Sequence, residues 1–352
     1  MLIFLIIAIV VIIVIQKLSQ KYALKGVSYI CAPSKRLVAP GEQFKLIATL
    51  ANNSRRFISY IQIVNDLPLN GIARDMDSVE RTEIYRQTHT TSVYMMPRRK
   101  LTYDIHMSLP MRGVHVFHGA KLSGGDFLGI NETSEYLEIR NEIVVYPPDT
   151  ADDRVSTIMN GFLGNVSVNR FIMEDPMLIA GFREYTGREP MKAISWLKSA
   201  QANQVMVKTF DYTTELTISV LLNIEITDRR DVLVGDDRIE SCYTIAHTVC
   251  RILEERGIRY DFSTNARTYG LVDIWHYIGE GLGQKHFQTV LECLGRGSDS
   301  CSETFEALLA RTMKKKLSGR SYIVITPNSK QETEMLLKQW DDGGTLVISA
   351  LE

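Results

Sequence analysis

Between residues 26 and 148 apolar side chains recur at every second position, as in Phe44, Leu46, Ala48 and Leu50, and again in Leu101, Tyr103, Ile105, Met107 and Leu109. A period of two predicts half-buried strands. The same pattern predicts strands near 28–31, 58–64, 91–95, 113–118 and 142–146. Turn clusters such as Ala39-Pro40-Gly41 and Ser123-Gly124-Gly125-Asp126 separate them. Pro147-Pro148 closes the region, because neither residue can donate to a ladder. Short strands without a helical stretch predict an antiparallel sandwich.

The pattern changes after residue 212. A fully apolar strand at 216–224 precedes a helix in which Ile239, Cys242, Ala246, Val249, Cys250 and Leu253 form one stripe, stopped by Gly257. Strands at 258–263, 321–326 and 345–350 then alternate with helices at 286–294, 302–317 and 331–340. Such alternation predicts a mainly parallel sheet covered by helices, with ligand sites at the carboxyl ends of the strands. Residues 151–205 show neither period until Gly181, where charge density rises through Arg183, Glu184, Arg188 and Glu189; Pro190 then suits the first turn of a short helix.

At the other end, Met1 to Ile15 are apolar without a break, which makes a helix of about 22 Å. With Lys17 snorkelling, this predicts a short membrane span. Lys17, Lys21, Lys25, Lys35 and Arg36 all follow it with no acidic residue before Glu42, so the positive-inside rule predicts that everything beyond Lys17 is cytoplasmic. The sequons at Asn52, Asn131 and Asn165 are then chance matches.

Composition narrows the function classes. Forty Lys plus Arg against 41 Asp plus Glu leave a net charge of -1, which gives no reason to expect a nucleic-acid partner. Five Cys without a C-x-x-C pair fit a reducing compartment and no structural zinc site. The chain lacks G-x-S-x-G, H-E-x-x-H and the P-loop signature, so no catalytic residue and no cofactor is expected. Gly279-Glu-Gly281-Leu-Gly283 lacks the preceding strand of a dinucleotide fingerprint and reads as a turn. His115 and His118 fall on opposite faces of a strand and do not converge on a metal.

Asn223, Glu225 and Thr227 after the apolar strand resemble, in position, the metal-ion-dependent adhesion motif of von Willebrand factor A domains, with Asn328 near the place of its later Asp. Amides where that motif has carboxylates make it a degenerate motif, and no metal is expected.

Arg183-Glu184-Tyr185, Gly187, Glu189-Pro190, Ile194, Trp196 and Ser199-Ala200 resemble the signature of domain-of-unknown-function family 58. Further matches are Val38-Ala-Pro40-Gly41-Glu42, Asp66-Leu-Pro68, Arg112-Gly113, Asp126-Phe-Leu-Gly129, Val145-Tyr146-Pro147 and Gly283-Gln-Lys-His286. Departures occur at Arg188-Glu189, Ser195 and Leu197, where the family usually has Gly-Asp, Asp and Lys. One N-terminal span stands where the family has a pair, which implies an incomplete start or a single-pass variant.

The resulting expectation is a multidomain chain. Residues 1–24 form a transmembrane anchor with a basic flank, 25–150 an immunoglobulin-like antiparallel β-sandwich, 151–212 a connecting segment with the signature, and 213–352 a von Willebrand factor A-like α/β domain. The resemblance implies a membrane-tethered, non-enzymatic adaptor whose partner is a MoxR-class AAA+ ATPase. The expected contact loops are 223–236, 326–329 and 183–189. Trp196 is expected in a core, with Arg183, Glu184, Tyr185, Arg188, Glu189 and Ser199 as an interaction surface or structural signature. Two other functions fit the same residues: an enzyme using Glu184 or Glu189 beside Arg183, and a metal-dependent adhesion module.

Overall fold

The computed structural model describes residues 2–68, 70–73, 79–83, 86–125, 132–150, 153–170, 179–210, 216–226, 237–271, 276–313, 320–340 and 345–351. The chain forms two compact units. One comprises residues 1–148 with 268–274 and 291–298; the other comprises 149–267 with 275–290 and 299–352.

The first unit is built on the period-two pattern. One sheet has the order β1 (Val27–Pro33), β3 (Gln43–Asn52), β8 (Lys100–Ser108), β5 (Ile72–Ala73). The other has the order β2 (Leu37–Val38), β10 (Glu132–Val145), β9 (Gly113–Gly125), β4 (Ile58–Leu67), β7 (Arg86–Met95), β6 (Val79–Glu83). All pairs are antiparallel except β2 with β10. Alternation along β3 turns Phe44, Leu46, Ala48 and Leu50 inward. Phe44, Leu46, Ile105 and Met107 from one sheet meet Leu67, Phe117, Ile143 and Val145 from the other. A second cluster joins Tyr29, Ala48 and Leu50 to Ile61, Ile63 and Leu122. Residues 268–274 and 291–298 are held to this unit by Glu142, which accepts from Leu271 N at 2.6 Å and pairs with the buried guanidinium of Arg296.

The second unit carries a five-stranded sheet in the order β16 (Tyr277–Gly281), β14 (Arg259–Thr264), β13 (Thr217–Leu222), β18 (Arg320–Thr326), β19 (Thr345–Ser349). Four strands are parallel and β16 is antiparallel to β14. From its second residue on, β13 is buried on both faces, as a central parallel strand must be. Its Leu221 packs with Phe305, Leu308 and Met313 of α6 (Phe305–Met313) and Leu337 of α7 (Lys330–Leu337). The remaining helices of the chain are α1 (Leu2–Lys21), α2 (Asp153–Arg170), α3 (Trp196–Ala202), α4 (Asp237–Glu255) and α5 (Gln284–Arg296); the short strands β15 (Ala266–Thr268) and β17 (Gly297–Cys301) complete the second half. The stripe of Ile239, Cys242, Ala246, Val249, Cys250 and Leu253 is the buried face of α4, and Gly257 follows it in the left-handed conformation at φ 67°. In α2, Val155, Met159 and Leu163 are buried at helical spacing, in a stretch whose sequence predicted no element. A hairpin of β11 (Ile179–Glu184) and β12 (Met206–Phe210) lies in this unit and carries α3.

The expected fold class is corrected. Among the described residues the chain is mostly β. Among the described residues no helix is long and apolar enough to cross a membrane. The helix α1 has 20 residues, but its apolar stretch stops at Ile15, and Gln16, Lys17, Ser19, Gln20 and Lys21 make the last turns polar. The apolar stretch spans about 21 Å, against a hydrocarbon core of about 30 Å. The transmembrane anchor at 1–24, the single-pass cell-membrane location and the cytoplasmic orientation drawn from the basic flank fall with it.

Candidate functional site

Three adjacent parallel strands end in the same residue type. Asn223 follows β13, Asn265 follows β14 and Asn328 lies two residues beyond β18. The amides of Asn223 and Asn265 bond each other, and all three bond nearby backbone. Asn223 Oδ1 accepts from Asn265 Nδ2 at 2.7 Å and from Glu225 N at 2.9 Å, while Asn223 Nδ2 donates to Thr326 Oγ1 at 3.2 Å. Asn265 Oδ1 accepts from Ile224 N at 2.9 Å, and Asn328 Nδ2 donates to Glu225 O at 2.8 Å. Asn223 and Asn265 are fully buried, so each of these bonds offsets a desolvation cost.

The structure thus brings Asn223, Glu225 and Asn328 of the degenerate motif together; Thr227 lies outside the described residues. The Glu225 carboxylate is committed elsewhere, since its Oε2 accepts from Phe305 N at 2.7 Å at the start of α6. There an anion satisfies an orphan amide and meets the positive end of the helix dipole. The side-chain amide oxygens of Asn223 and Asn265 are occupied by N–H donors, and an amide nitrogen of Asn328 faces the turn. Among the described residues no group of three or more His, Cys, Asp or Glu side chains has an arrangement that holds a metal ion. What the cluster does chemically is lock the strand-end turns. Asn265 completes it and was not singled out in the sequence, although its place directly after a strand matches that of Asn223.

The signature residues gather on the β11–β12 hairpin. Glu189 folds back on the turn: Thr186 Oγ1 donates to it at 2.7 Å, Thr186 N at 3.1 Å, and Arg183 pairs with it at 2.6 Å. The Thr186 hydroxyl and the Arg183 guanidinium outweigh desolvation and hold the Glu189 carboxyl down at about 2. Glu184 is exposed and accepts from Gln204 Nε2 at 2.9 Å. A carboxylate tied this way is ionised at neutral pH and a poor proton acceptor, and Glu184 is exposed. Acid–base chemistry on Glu184 or Glu189 with Arg183 lacks its geometric basis.

Ser199 fastens α3 to β12. Its Oγ donates to Ser195 O at 2.8 Å and accepts from Met206 N at 2.8 Å, while Ser195 N donates to Met206 O at 2.9 Å. The serine side of the helix is therefore its docking side. The expectation that Trp196 is core is corrected: Trp196 is 66% exposed and Leu197 73%, and α3 has no buried residue. Met191, 72% exposed, lies in the turn just before, and Tyr185 and Arg188 are exposed on the hairpin loop.

A cavity of about 650 Å³ lies elsewhere in the same unit, beside the edge strand β19, with Arg154, Ile158, Glu240, Thr244, Lys330 and Ile348 among its lining residues. None of the signature or strand-end residues lines it.

No family model matches the chain. It is 20% identical to the uncharacterized protein YeaD of Bacillus subtilis strain 168 over 320 residues, covering 89% of this chain and 73% of that one. Among solved structures, a cohesin module from a Clostridium perfringens family 33 glycoside hydrolase aligns with 34% of this chain and 96% of its own, at 12% identity and a TM-score of 0.25. The sporulation control protein Spo0M of Bacillus subtilis aligns with 46% of this chain and 58% of its own, at 15% identity and a TM-score of 0.19. At such scores neither likeness bears on fold or function.

Proposed function

We propose that the chain is a non-enzymatic interaction protein that offers the β11–β12 hairpin and its short helix α3 to a protein partner. The observation that carries this is the exposure of Met191, Trp196 and Leu197, each two-thirds or more accessible, on an element whose backbone is fixed by its own hydrogen bonds. Large apolar side chains held out on a rigid support form a contact surface, and Trp, Tyr and Arg are the residue types that dominate binding energy. The neutral strand-end cluster of Asn223, Asn265 and Asn328 supplies a second rigid edge. The resemblance to domain-of-unknown-function family 58 makes a MoxR-class AAA+ ATPase the partner of choice.

Photocrosslinking tests this. A benzophenone side chain at position 197 of the full chain, mixed with a purified MoxR-class ATPase, crosslinks to it, whereas the same group at the exposed position Lys45 does not. Equal yields from the two positions, or none from position 197, contradict the reading.

A further inference from the structure

The whole chain carries a net charge of -1, yet residues 179–210 carry Arg183, Arg188, Lys192, Lys198 and Lys208 against only Glu184 and Glu189. Glu189 is consumed by Arg183, so the hairpin's cations outnumber its free carboxylates. Arg188 and Lys192 are exposed and pair with no carboxylate among the described residues. Lys198 is exposed too, lies 5.7 Å from the centre of the Phe182 ring and donates to the neutral Gln201. These cations alternate in sequence with the exposed anchors: Arg188, then Met191, Lys192, then Trp196, Leu197, Lys198.

We propose that the hairpin receives an acidic segment of the partner protein, with apolar side chains of that segment seated on Met191, Trp196 and Leu197 and its carboxylates on Arg188, Lys192 and Lys198. The proposal rests on the reading of the hairpin as a docking surface and adds the chemistry of what docks. Charge complementarity selects the sign of the partner and accelerates encounter, while desolvated aromatic and aliphatic contacts supply most of the affinity. Single-stranded nucleic acid also carries negative charge, but it calls for aromatic platforms along a continuous basic groove. Here Trp196, with the less exposed Phe182 and Tyr185, and two aliphatic anchors stand among a few cations, with Glu184 and Glu189 interspersed. A protein segment matches that mixture better than a polyphosphate.

The experiment uses the full chain and four labelled probes: an amphipathic Glu/Leu peptide, the Lys/Leu peptide of the same apolar pattern, a single-stranded oligothymidine and vesicles with anionic phospholipid. The acidic peptide binds at least about tenfold tighter than the basic one at about 0.15 M salt, and the gap narrows at about 0.5 M. The double substitution Arg188→Glu with Lys192→Glu inverts the order of the two peptides. Trp196→Ala weakens binding of the acidic peptide about tenfold while leaving the unfolding midpoint in place. Equal binding of the two peptides, an order unaffected by the double substitution, or a stronger response to the oligonucleotide or the vesicles overturns the proposal. Should the peptides fail while position 197 still crosslinks to the ATPase, the acidic chemistry is wrong and the docking surface stands; should both fail, the docking surface is wrong too.

Discussion

At the scale of single residues, the buried polar groups of the second unit divide by position along the sheet. At the carboxyl ends, Asn223, Asn265 and Asn328 are neutral; Asn223 and Asn265 bond each other, and all three bond nearby backbone. Towards the amino ends sits a charge: Asp261, fully buried, accepts from Ser219 Oγ at 3.0 Å and from the Arg320 guanidinium, which also pairs with Glu280 at 2.9 Å. Burial pushes the Asp261 carboxyl up from 3.8 to about 6, against the pull of Arg320 and Ser219. Below about pH 4 the group is protonated in both folded and unfolded chains. Between about 4 and 6 the folded chain keeps a proton that the unfolded chain has lost, so this group's contribution to stability falls as pH rises and levels off above. Replacing Asp261 with Asn removes that fall, and urea titrations from about pH 4 to 7 read it directly; an unchanged slope contradicts the assignment. Asn223 and Asn328 drew attention in the sequence as altered ligand positions. Asn265 and Asp261 did not, because nothing local distinguishes a polar residue inside or just after an apolar strand from one in a loop; their partners are forty or more positions away.

At the scale of elements, several strands of the first unit were visible in the sequence because period two survives wherever one face is buried and the other wet, but Ser123-Gly124-Gly125, read as a turn, belongs to β9, and residues 132–141 of β10 and the short β2, β5 and β6 went unread. The helix α4 was visible for the corresponding reason at period 3.6. In contrast α2 was not, since among its described side chains Val155, Met159 and Leu163 alone are buried and it includes two glycines, Gly161 and Gly164, which lower helix propensity. The first helix shows the opposite error: an unbroken apolar run reads as a span, whereas its length decides otherwise. For α3, Pro190 placed the turn, but it does not say which side of the helix docks. Ser199 decides that. The change Ser199→Ala leaves the Met206 amide without its acceptor and frees α3 from β12, at a cost of about 1–2 kcal/mol to the local opening free energy. Hydrogen exchange at Met206 and Val207 accelerates accordingly, while amides of β13 and β18 keep their protection. Equal acceleration across the sheet contradicts a local role for Ser199.

At the scale of the molecule, sequence order and spatial grouping part company. Residues 268–274 and 291–298 belong to the first unit although they lie far along the chain. Glu142 holds both segments through Leu271 and Arg296, and no pattern within either segment signals that long-range tie. The proposed function rests on an exposed, rigid hairpin rather than on a cleft. Calorimetric titration of a purified MoxR-class ATPase into the full chain, alongside the Trp196→Ala, Leu197→Ala double variant, tests it most directly. Measurable binding is expected, weakened by at least about tenfold in the double variant, with an unfolding free energy within about 0.5 kcal/mol of the parent, since both side chains are surface-exposed. Binding of equal strength in the two chains, or a loss of several kcal/mol of stability in the variant, contradicts it.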